Sequence, residues 1–315
     1  MAPRIVVTGA TGFIGRILCQ RLTGEGYEVV ALSRNPDREG KQSGSGVRVV
    51  RWDAQSAEGW GHEADGAHAI INLAGENIGA GRWTEEKKRR ILQSRLNAGK
   101  AIVGAVDRAE DKPKVVVQAS GIGVYGDCGN HVCDESTPLG TGFLPDVGEQ
   151  WEESTLHVTS HGVRHVVVRS GVVFGKSGGF LPRVVLPFRL FVGGHFGSGR
   201  QWFSWIHIDD EVRALRFLLE KEDAHGVFNL TSPNPLTSRD LSKTLGRVVK
   251  RPSLIPVPGI MLRILFGEMA TELILSGQRA VPKRLLDAGY TFLYPEAEAA
   301  LRHILNGNER SSNGE

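Results

Sequence analysis

Residues 4 to 15 read Arg4-Ile-Val-Val-Thr-Gly9-Ala-Thr-Gly12-Phe-Ile-Gly15, an apolar run feeding a Gly-x-x-Gly-x-x-Gly turn and then an amphipathic stretch to about Glu25. That order predicts strand, tight loop and helix. Gly9 permits the sharp turn, Gly12 lets the backbone approach a pyrophosphate, and Gly15 allows the helix to pack close to the strand. The phosphates would then sit at the helix N-terminus, where amides and dipole favour anions. A dinucleotide site is therefore expected here, with Thr11, Phe13 and Ile14 completing the loop.

Outward from this loop the alternation repeats. Short apolar runs at 28–33, 47–51, 68–73, 114–120 and 164–169 read as strands, and stretches at 84–109 and about 145–160 read as helices. The runs show little polar alternation, as expected of parallel strands covered on both faces. The predicted fold class is α/β, a Rossmann-type doubly wound parallel sheet with a smaller C-terminal substrate-side region. The charge run Thr84-Glu-Glu-Lys-Lys-Arg-Arg90 begins with an N-cap and offers the i,i+4 pairs Glu85 with Arg89 and Glu86 with Arg90.

After Gly171 the pattern changes. Residues 175–199 are rich in glycine and hold Pro182 and Pro187, which predicts irregular structure over the sheet's C-terminal edge. Helices are expected at 209–220 and 238–249, with a strand at 227–230 between them; Pro252, Pro256 and Pro258 mark a boundary before a helix at 260–275. The expected organisation is a dinucleotide-binding domain over 1–250 with substrate-side insertions from about 175, a small domain over 251–305, and a disordered tail over 306–315.

At 315 residues the chain is long for one simple domain, and 40% hydrophobic with 23% charged residues suits a globular protein with a proper core. No apolar run approaches the ~20 residues of a membrane span. With 38 basic against 35 acidic residues the net charge is +3, too balanced to point to nucleic acid or an anionic membrane. The expected partner is a small molecule. The N-terminus leads straight into the first strand, without the pattern of a signal peptide, so a cytoplasmic location is expected. Cys19, Cys128 and Cys133 are an odd, sparse set that reads as reduced thiols; Cys128-x-x-His131-x-Cys133 matches no common zinc spacing, and no metal is expected.

The second strand ends in Ser33 and Arg34, where a carboxylate would accept from the ribose 2′-hydroxyl of NAD. A hydroxyl and a guanidinium suit a 2′-phosphate, so NADP(H) is preferred over NAD(H); the other reading of Arg34 is an ordinary loop cation. Asp53, after the third strand, either accepts from the adenine amino group or caps the next turn. Leu73-Ala74-Gly75 ends the fourth strand with small residues on the nicotinamide ribose side.

Taken together these features resemble the extended short-chain dehydrogenase/reductase superfamily. Its opening motif stands as Thr8-Gly9-Ala-Thr-Gly12-Phe-Ile-Gly15, its fourth-strand motif resembles Asn72-Leu-Ala-Gly75, and its active-serine segment resembles Ser120-Gly-Ile-Gly-Val-Tyr-Gly126. The longer stretches Asn72-Leu-Ala-Gly-Glu-Asn77, Val168-Arg-Ser-Gly-Val-Val173 and Gly197-Ser-Gly-Arg-Gln-Trp-Phe-Ser-Trp-Ile-His-Ile-Asp209 are similar to an atypical, epimerase-family branch. The stretch from Gly277 to Leu285 resembles that branch's small C-terminal domain. The resemblance runs to about Leu305 and implies cofactor contacts at Ser33, Arg34, Leu73, Ala74, Arg95 and Val173 besides the glycine loop.

The superfamily normally uses a Tyr-x-x-x-Lys pair, in which lysine lowers the tyrosine pKa for proton transfer. This chain lacks it: four residues after Tyr27, Tyr125, Tyr290 and Tyr294 stand Ala31, Gly129, Tyr294 and Glu298. Where the tyrosine helix is expected the sequence reads Trp151-Glu-Glu-Ser-Thr155, so indole replaces phenol and threonine replaces lysine. Three groups remain as catalytic candidates: Ser120 to orient a carbonyl oxygen, and Tyr125 or Glu152 to supply a proton. Each has a structural alternative, as a capped strand end, a turn residue and a solvated helix face. By the resemblance, Trp202, Trp205 and His207 stand where substrate-side residues lie in related proteins; the alternative reading is core aromatics and a hydrogen-bonded scaffold histidine. Two functions fit: an NADP(H)-dependent oxidoreductase or epimerase-like enzyme with a nonstandard proton donor, and a non-catalytic NADP(H)-binding regulatory or interaction protein. A homodimer through the two longest Rossmann helices would be ordinary for such a fold.

Overall fold

A computed structural model describes residues 2–36 and 46–307. Seven strands form one sheet: β1 (Arg4–Thr8), β2 (Glu28–Ser33), β3 (Val47–Arg51), β4 (Ala69–Asn72), β5 (Val115–Gly121), β6 (Arg164–Ser170) and β7 (Gly226–Leu230). Their order is β3-β2-β1-β4-β5-β6-β7, the doubly wound arrangement that reverses beside β1. The sheet is parallel: Val6 of β1 aligns with Val30 on one side and Ile70 on the other, and Ile70 aligns in turn with Val116. In such sheets ligands bind beyond the carboxyl ends of the strands at the reversal point.

The inner strands are apolar on both faces because both are covered, whereas edge strand β3 carries the exposed Arg48 and Arg51. Val6, Val30, Ile70 and Val116 pack in one cluster with Trp60 and with Ala98, Ile102, Ala105 and Val106 of α2 (Glu85–Arg108). Each fully buried Val, Leu or Ile contributes about 1.5–3 kcal/mol relative to exposure. Thr84 caps α2 by accepting from Lys87 N at 3.1 Å; Glu86 pairs with Arg90 at 2.5 Å, and Glu85 meets Lys88 at 3.6 Å.

The contacts divide the chain into two compact units that interleave along the sequence. One comprises residues up to Val124, Thr141–Arg169 and Val212–Phe228; the other comprises Tyr125–Gly140, Ser170–Glu211 and the chain from Asn229. The first unit also holds α1 (Phe13–Gly24) and α3 (Phe143–Glu153). The helix expected over 145–160 stops at Glu153 and resumes as a 3₁₀ segment, Leu156–His161. Two side chains draw the backbone away: Ser154 Oγ donates to Trp151 O at 2.7 Å, and Thr155 turns its hydroxyl into a buried tertiary network.

In the second unit, the irregular stretch expected over 175–199 contains a helix, α4 (Leu181–Arg189). Pro182 lies in its first turn, where no amide bond is lost, and Leu181, Val185 and Phe188 recur at helical spacing. They bury against Leu241, Leu245 and Val248. Those residues belong to α6 (Ser238–Val249), which follows α5 (Ile208–Glu220). The helix expected over 260–275 is broken: α7 (Gly259–Phe266) ends at Gly267, whose φ of +62° with ψ of −137° leaves helical space, and Glu268–Ala270 and a π turn at Thr271–Leu275 follow. The last helix, α8, spans Ala297–Asn306, so it includes the first residue of the expected tail; from 308 that tail lies outside the described residues. Buried Asp210 fastens the C-terminal segment by accepting from Leu293 N at 2.7 Å, Tyr294 N at 2.9 Å and Tyr290 Oη at 3.2 Å.

Candidate functional site

The glycine loop has the geometry of an anion cradle. Gly9 has φ +64°, and a Cβ there would stand 2.6 Å from Leu73 O; one at Gly15 would stand 2.3 Å from Gly9 O. Gly12 N donates to Gly9 O at 2.9 Å, closing the turn. α1 then starts with Gly12 as N-cap, without a capping side chain and without an acid in its first turn. The first-turn amides over Phe13, Ile14 and Gly15 are thus left to an outside acceptor. Arg16 Nη2 braces the loop by donating to Thr11 O at 3.2 Å.

At the end of β2, Ser33 is buried and its Oγ accepts from Asn35 N at 3.1 Å, while Arg34 is exposed. Asp53, past the end of β3, caps the following turn: Oδ1 accepts from Gln55 N at 2.7 Å and Ser56 N at 2.8 Å, and Oδ2 from Ser56 Oγ at 2.9 Å. These backbone bonds hold its carboxyl below the usual carboxylate range. Of the two sequence readings of Asp53, capping is the contact present.

β4 runs into Leu73, Ala74 and Gly75 beside a buried guanidinium. A Cβ on Gly75 would stand 3.0 Å from Arg95 Cζ. Arg95 Nη1 donates to Glu76 O at 3.1 Å and Ile91 O at 2.9 Å; among the described residues its Nε and Nη2 have no acceptor. Burial lowers its pKa to about 10, which still leaves it cationic at neutral pH. Glu76 is engaged by Lys87 Nζ at 2.6 Å. Arg95 also meets Trp151, 4.5 Å from the ring centroid, and among the described residues the buried Trp151 Nε1 has no hydrogen-bond partner.

Ser120, near the carboxyl end of β5, and Glu152, on α3, are brought together. Ser120 Oγ donates to Glu152 Oε1 at 2.6 Å. Arg169, on β6, clamps the same carboxylate, with Nε 2.8 Å from Oε1 and Nη2 2.8 Å from Oε2. Gly148 lets α3 lie close, since a Cβ there would stand 2.1 Å from Val124 Cγ1. The solvated-face reading of Glu152 does not hold, because its side chain is 12% exposed. A hydroxyl already bonded to a clamped carboxylate can pass its proton on while accepting another.

Below this triad runs a buried polar chain. Thr8 Oγ1 donates to Asn72 Oδ1 at 2.6 Å, Asn72 Nδ2 to Gln118 Oε1 at 2.9 Å, and Thr155 Oγ1 to Gln118 Oε1 at 3.1 Å. His165 Nε2 lies 2.9 Å from Thr155 Oγ1; with that hydroxyl donating to Gln118, the imidazole is assigned as the donor. Burial lowers the His165 pKa, keeping the ring neutral at pH 7. Thr155, where the sequence analysis expects the superfamily lysine, has 0% exposure.

Tyr125 and Val173 belong to the second unit. Tyr125 is buried and its hydroxyl donates to Asn229 Oδ1 at 2.7 Å, the bond of a scaffold phenol. Val173 aligns with Ile206 in a two-stranded ribbon of Val172–Phe174 and Trp205–His207. There Trp205 stacks on Phe174, and Trp202 Nε1 donates to Asn130 Oδ1 at 3.0 Å. His207 accepts from Asp209 N at 3.0 Å and sits 3.1 Å from His303 Nδ1; burial lowers its pKa to about 4, so it is a neutral scaffold ring. Sequence reasoning missed Arg169, Gln118 and His165 as parts of the site. Each is a polar residue inside an otherwise apolar strand, and such residues persist only when hydrogen-bonded.

Residues 5–231 match the profile of the NAD dependent epimerase/dehydratase family, and residues 257–304 match a domain of unknown function, DUF1731. The chain is 38% identical to the epimerase family protein YfhF of Bacillus subtilis over 304 residues, 96% of this chain and 97% of the relative. Among solved structures, the human epimerase family protein SDR39U1 with NADPH superposes with a TM-score of 0.88 at 36% identity, covering 97% of this chain and 100% of that one. A nucleoside-diphosphate sugar epimerase from Corynebacterium glutamicum gives 0.77 at 30% identity, covering 97% of this chain and 58% of that one.

Proposed function

From the premise that the chain belongs to the NAD dependent epimerase/dehydratase family, we propose that it binds NADP(H) and acts as an oxidoreductase or epimerase-like enzyme on a small substrate bearing a carbonyl or hydroxyl group. The observation that carries this reading is the cradle at Gly9, Gly12 and Gly15, where side chains would fill the space and the first turn of α1 has no capping group of its own. Phe13, Ile14 and Gly15 amides hold the pyrophosphate, Ser33 and Arg34 take the 2′-phosphate, and Leu73, Ala74, Gly75 and Arg95 border the nicotinamide ribose. The human relative's structure with NADPH supports the phosphorylated form of the cofactor. When bound, the nicotinamide supplies or accepts hydride.

The protein's own part is the proton. Ser120 Oγ hydrogen-bonds the substrate oxygen and relays a proton to or from Glu152, while the two bonds from Arg169 keep the carboxylate fixed. In this reading Tyr125 serves the scaffold and Trp151 is the platform on which Arg95 rests.

Incubating the protein with NADPH deuterated on either C4 face and a metabolite extract, followed by mass spectrometry, tests this. A deuterated metabolite identifies an oxidoreductase and gives its substrate's mass; a substrate epimerised without label identifies the internally recycling variant. A second reading, a non-catalytic NADP(H)-binding protein, is favoured by the indole at 151 and the buried threonine at 155, and it predicts NADPH binding with no metabolite changed.

A further inference from the structure

The second unit carries an aliphatic ledge in solvent. The end of α4 exposes Leu190 (63%) and Phe191 (58%), and the strand-like segment beside it exposes Leu254 (78%) and Ile255. These two pieces are joined, since Leu254 N and Ile255 N both donate to Gly193 O, at 3.1 and 3.2 Å. α7 continues the surface: Gly259 lies against Gly197, and of the next seven residues only Leu262 is buried while Ile260 is 69% exposed. Phe191 is held out by a left-handed backbone, φ +63°, with the Arg251 guanidinium 4.5 Å over its ring. Contiguous exposed apolar surface of this kind marks an interaction site.

Its charge selects the occupant. The stretches 181–195 and 250–266 contain Arg183, Arg189, Lys250, Arg251 and Arg263 and no aspartate or glutamate. We propose that this ledge docks on an anionic phospholipid surface, with Phe191, Leu254 and Ile260 entering the interface and the surrounding arginines and lysine meeting headgroup phosphates. The whole-chain charge of +3 conceals this local concentration. A second copy is the poorer occupant, because a two-fold contact would set the same cations against one another. At eight residues α7 is about 12 Å long, too short to cross a bilayer, so the contact is interfacial.

Flotation of the full chain with phosphatidylglycerol or phosphatidylcholine vesicles tests the assignment. The protein should prefer the anionic vesicles by at least about tenfold, since each basic side chain near such a surface is worth about fivefold in partitioning, and added salt should weaken binding. Leu254→Asp with Ile260→Asp should abolish it with an unchanged melting curve, both sites being exposed; Arg251→Glu with Arg263→Glu should remove the lipid preference. Absence of binding to phosphatidylglycerol, or equal binding to both lipids, overturns the proposal. So does a concentration-dependent dimer broken by the Asp variant without vesicle binding, which would assign the ledge to a second copy.

Discussion

The Arg95 guanidinium lies over the Trp151 indole, 4.5 Å from the ring centroid. The pair explains how an arginine with 7% exposure is tolerated beside Gly75: one face rests on a ring, Nη1 bonds two carbonyls, and two donor groups remain for a ligand. Arg95→Lys keeps the charge but loses the planar stack and the fork. It is expected to weaken NADPH binding about tenfold, read from fluorescence titration; an unchanged affinity would remove Arg95 from the cofactor site.

Introducing a Tyr-x-x-x-Lys pair at 151 and 155, where the sequence analysis expects it, should fail. Trp151→Tyr with Thr155→Lys would place an ammonium where Thr155 now bonds Gln118 and faces His165 in a fully buried chain. A buried charge without a partner costs about 3–5 kcal/mol. Chemical denaturation should therefore show the double variant strongly destabilised, with Trp151→Tyr alone accounting for little of the loss. Equal stability of the double variant would mean that the lysine reaches solvent.

The Ser120, Glu152 and Arg169 cluster separates proton transfer from folding. Ser120→Ala removes one hydroxyl and should lower deuteride transfer about a hundredfold with little change in melting temperature. Glu152→Gln leaves Arg169 without its carboxylate and should destabilise the fold by about 3 kcal/mol as well. A Ser120→Ala protein with full turnover would exclude the relay.

In the proposed reading, cofactor choice turns on Arg34. Arg34→Ala should raise the NADPH dissociation constant about tenfold, as expected for loss of one charge-assisted contact, and leave NADH unaffected. Isothermal titration with both nucleotides decides it, because a general loss of affinity for both would assign Arg34 to the fold rather than to the 2′-phosphate.

The fold was legible because it is encoded locally. The apolar runs of β1, β2, β4, β5 and β6 need burial on both faces, and Gly9 and Gly15 can be replaced by no larger residue without striking Leu73 O or Gly9 O. Helix ends were less legible, since Thr155 leaves the helix for a tertiary partner, Gln118, that no local pattern reveals. α4 was hidden by Pro187, an interior proline that tertiary packing of Val185 and Phe188 outweighs. In the site, Ser120 and Glu152 stood out as residue types, but the clamp joins Arg169 on β6 to Glu152 on α3 and emerges only from the packing of that helix on the sheet.

Glu211 should give the protein a pH-dependent stability unrelated to its site chemistry. It is fully buried, its Oε1 accepts from Ser170 Oγ at 2.6 Å, and its Oε2 has no partner among the described residues, so burial pushes its pKa from 4.5 up to about 8. The folded protein then holds a proton that the unfolded chain releases above its lower pKa. Stability from this group is therefore fully present below pH 4.5 and declines as pH rises towards 8, by about 1.4 kcal/mol per pH unit. Glu211→Gln keeps the shape of the neutral acid and cannot ionise, so it should flatten that slope and be the more stable protein at alkaline pH. Urea denaturation of both proteins across the range measures the slopes directly, and parallel curves would mean that Glu211 is ionised in the folded state.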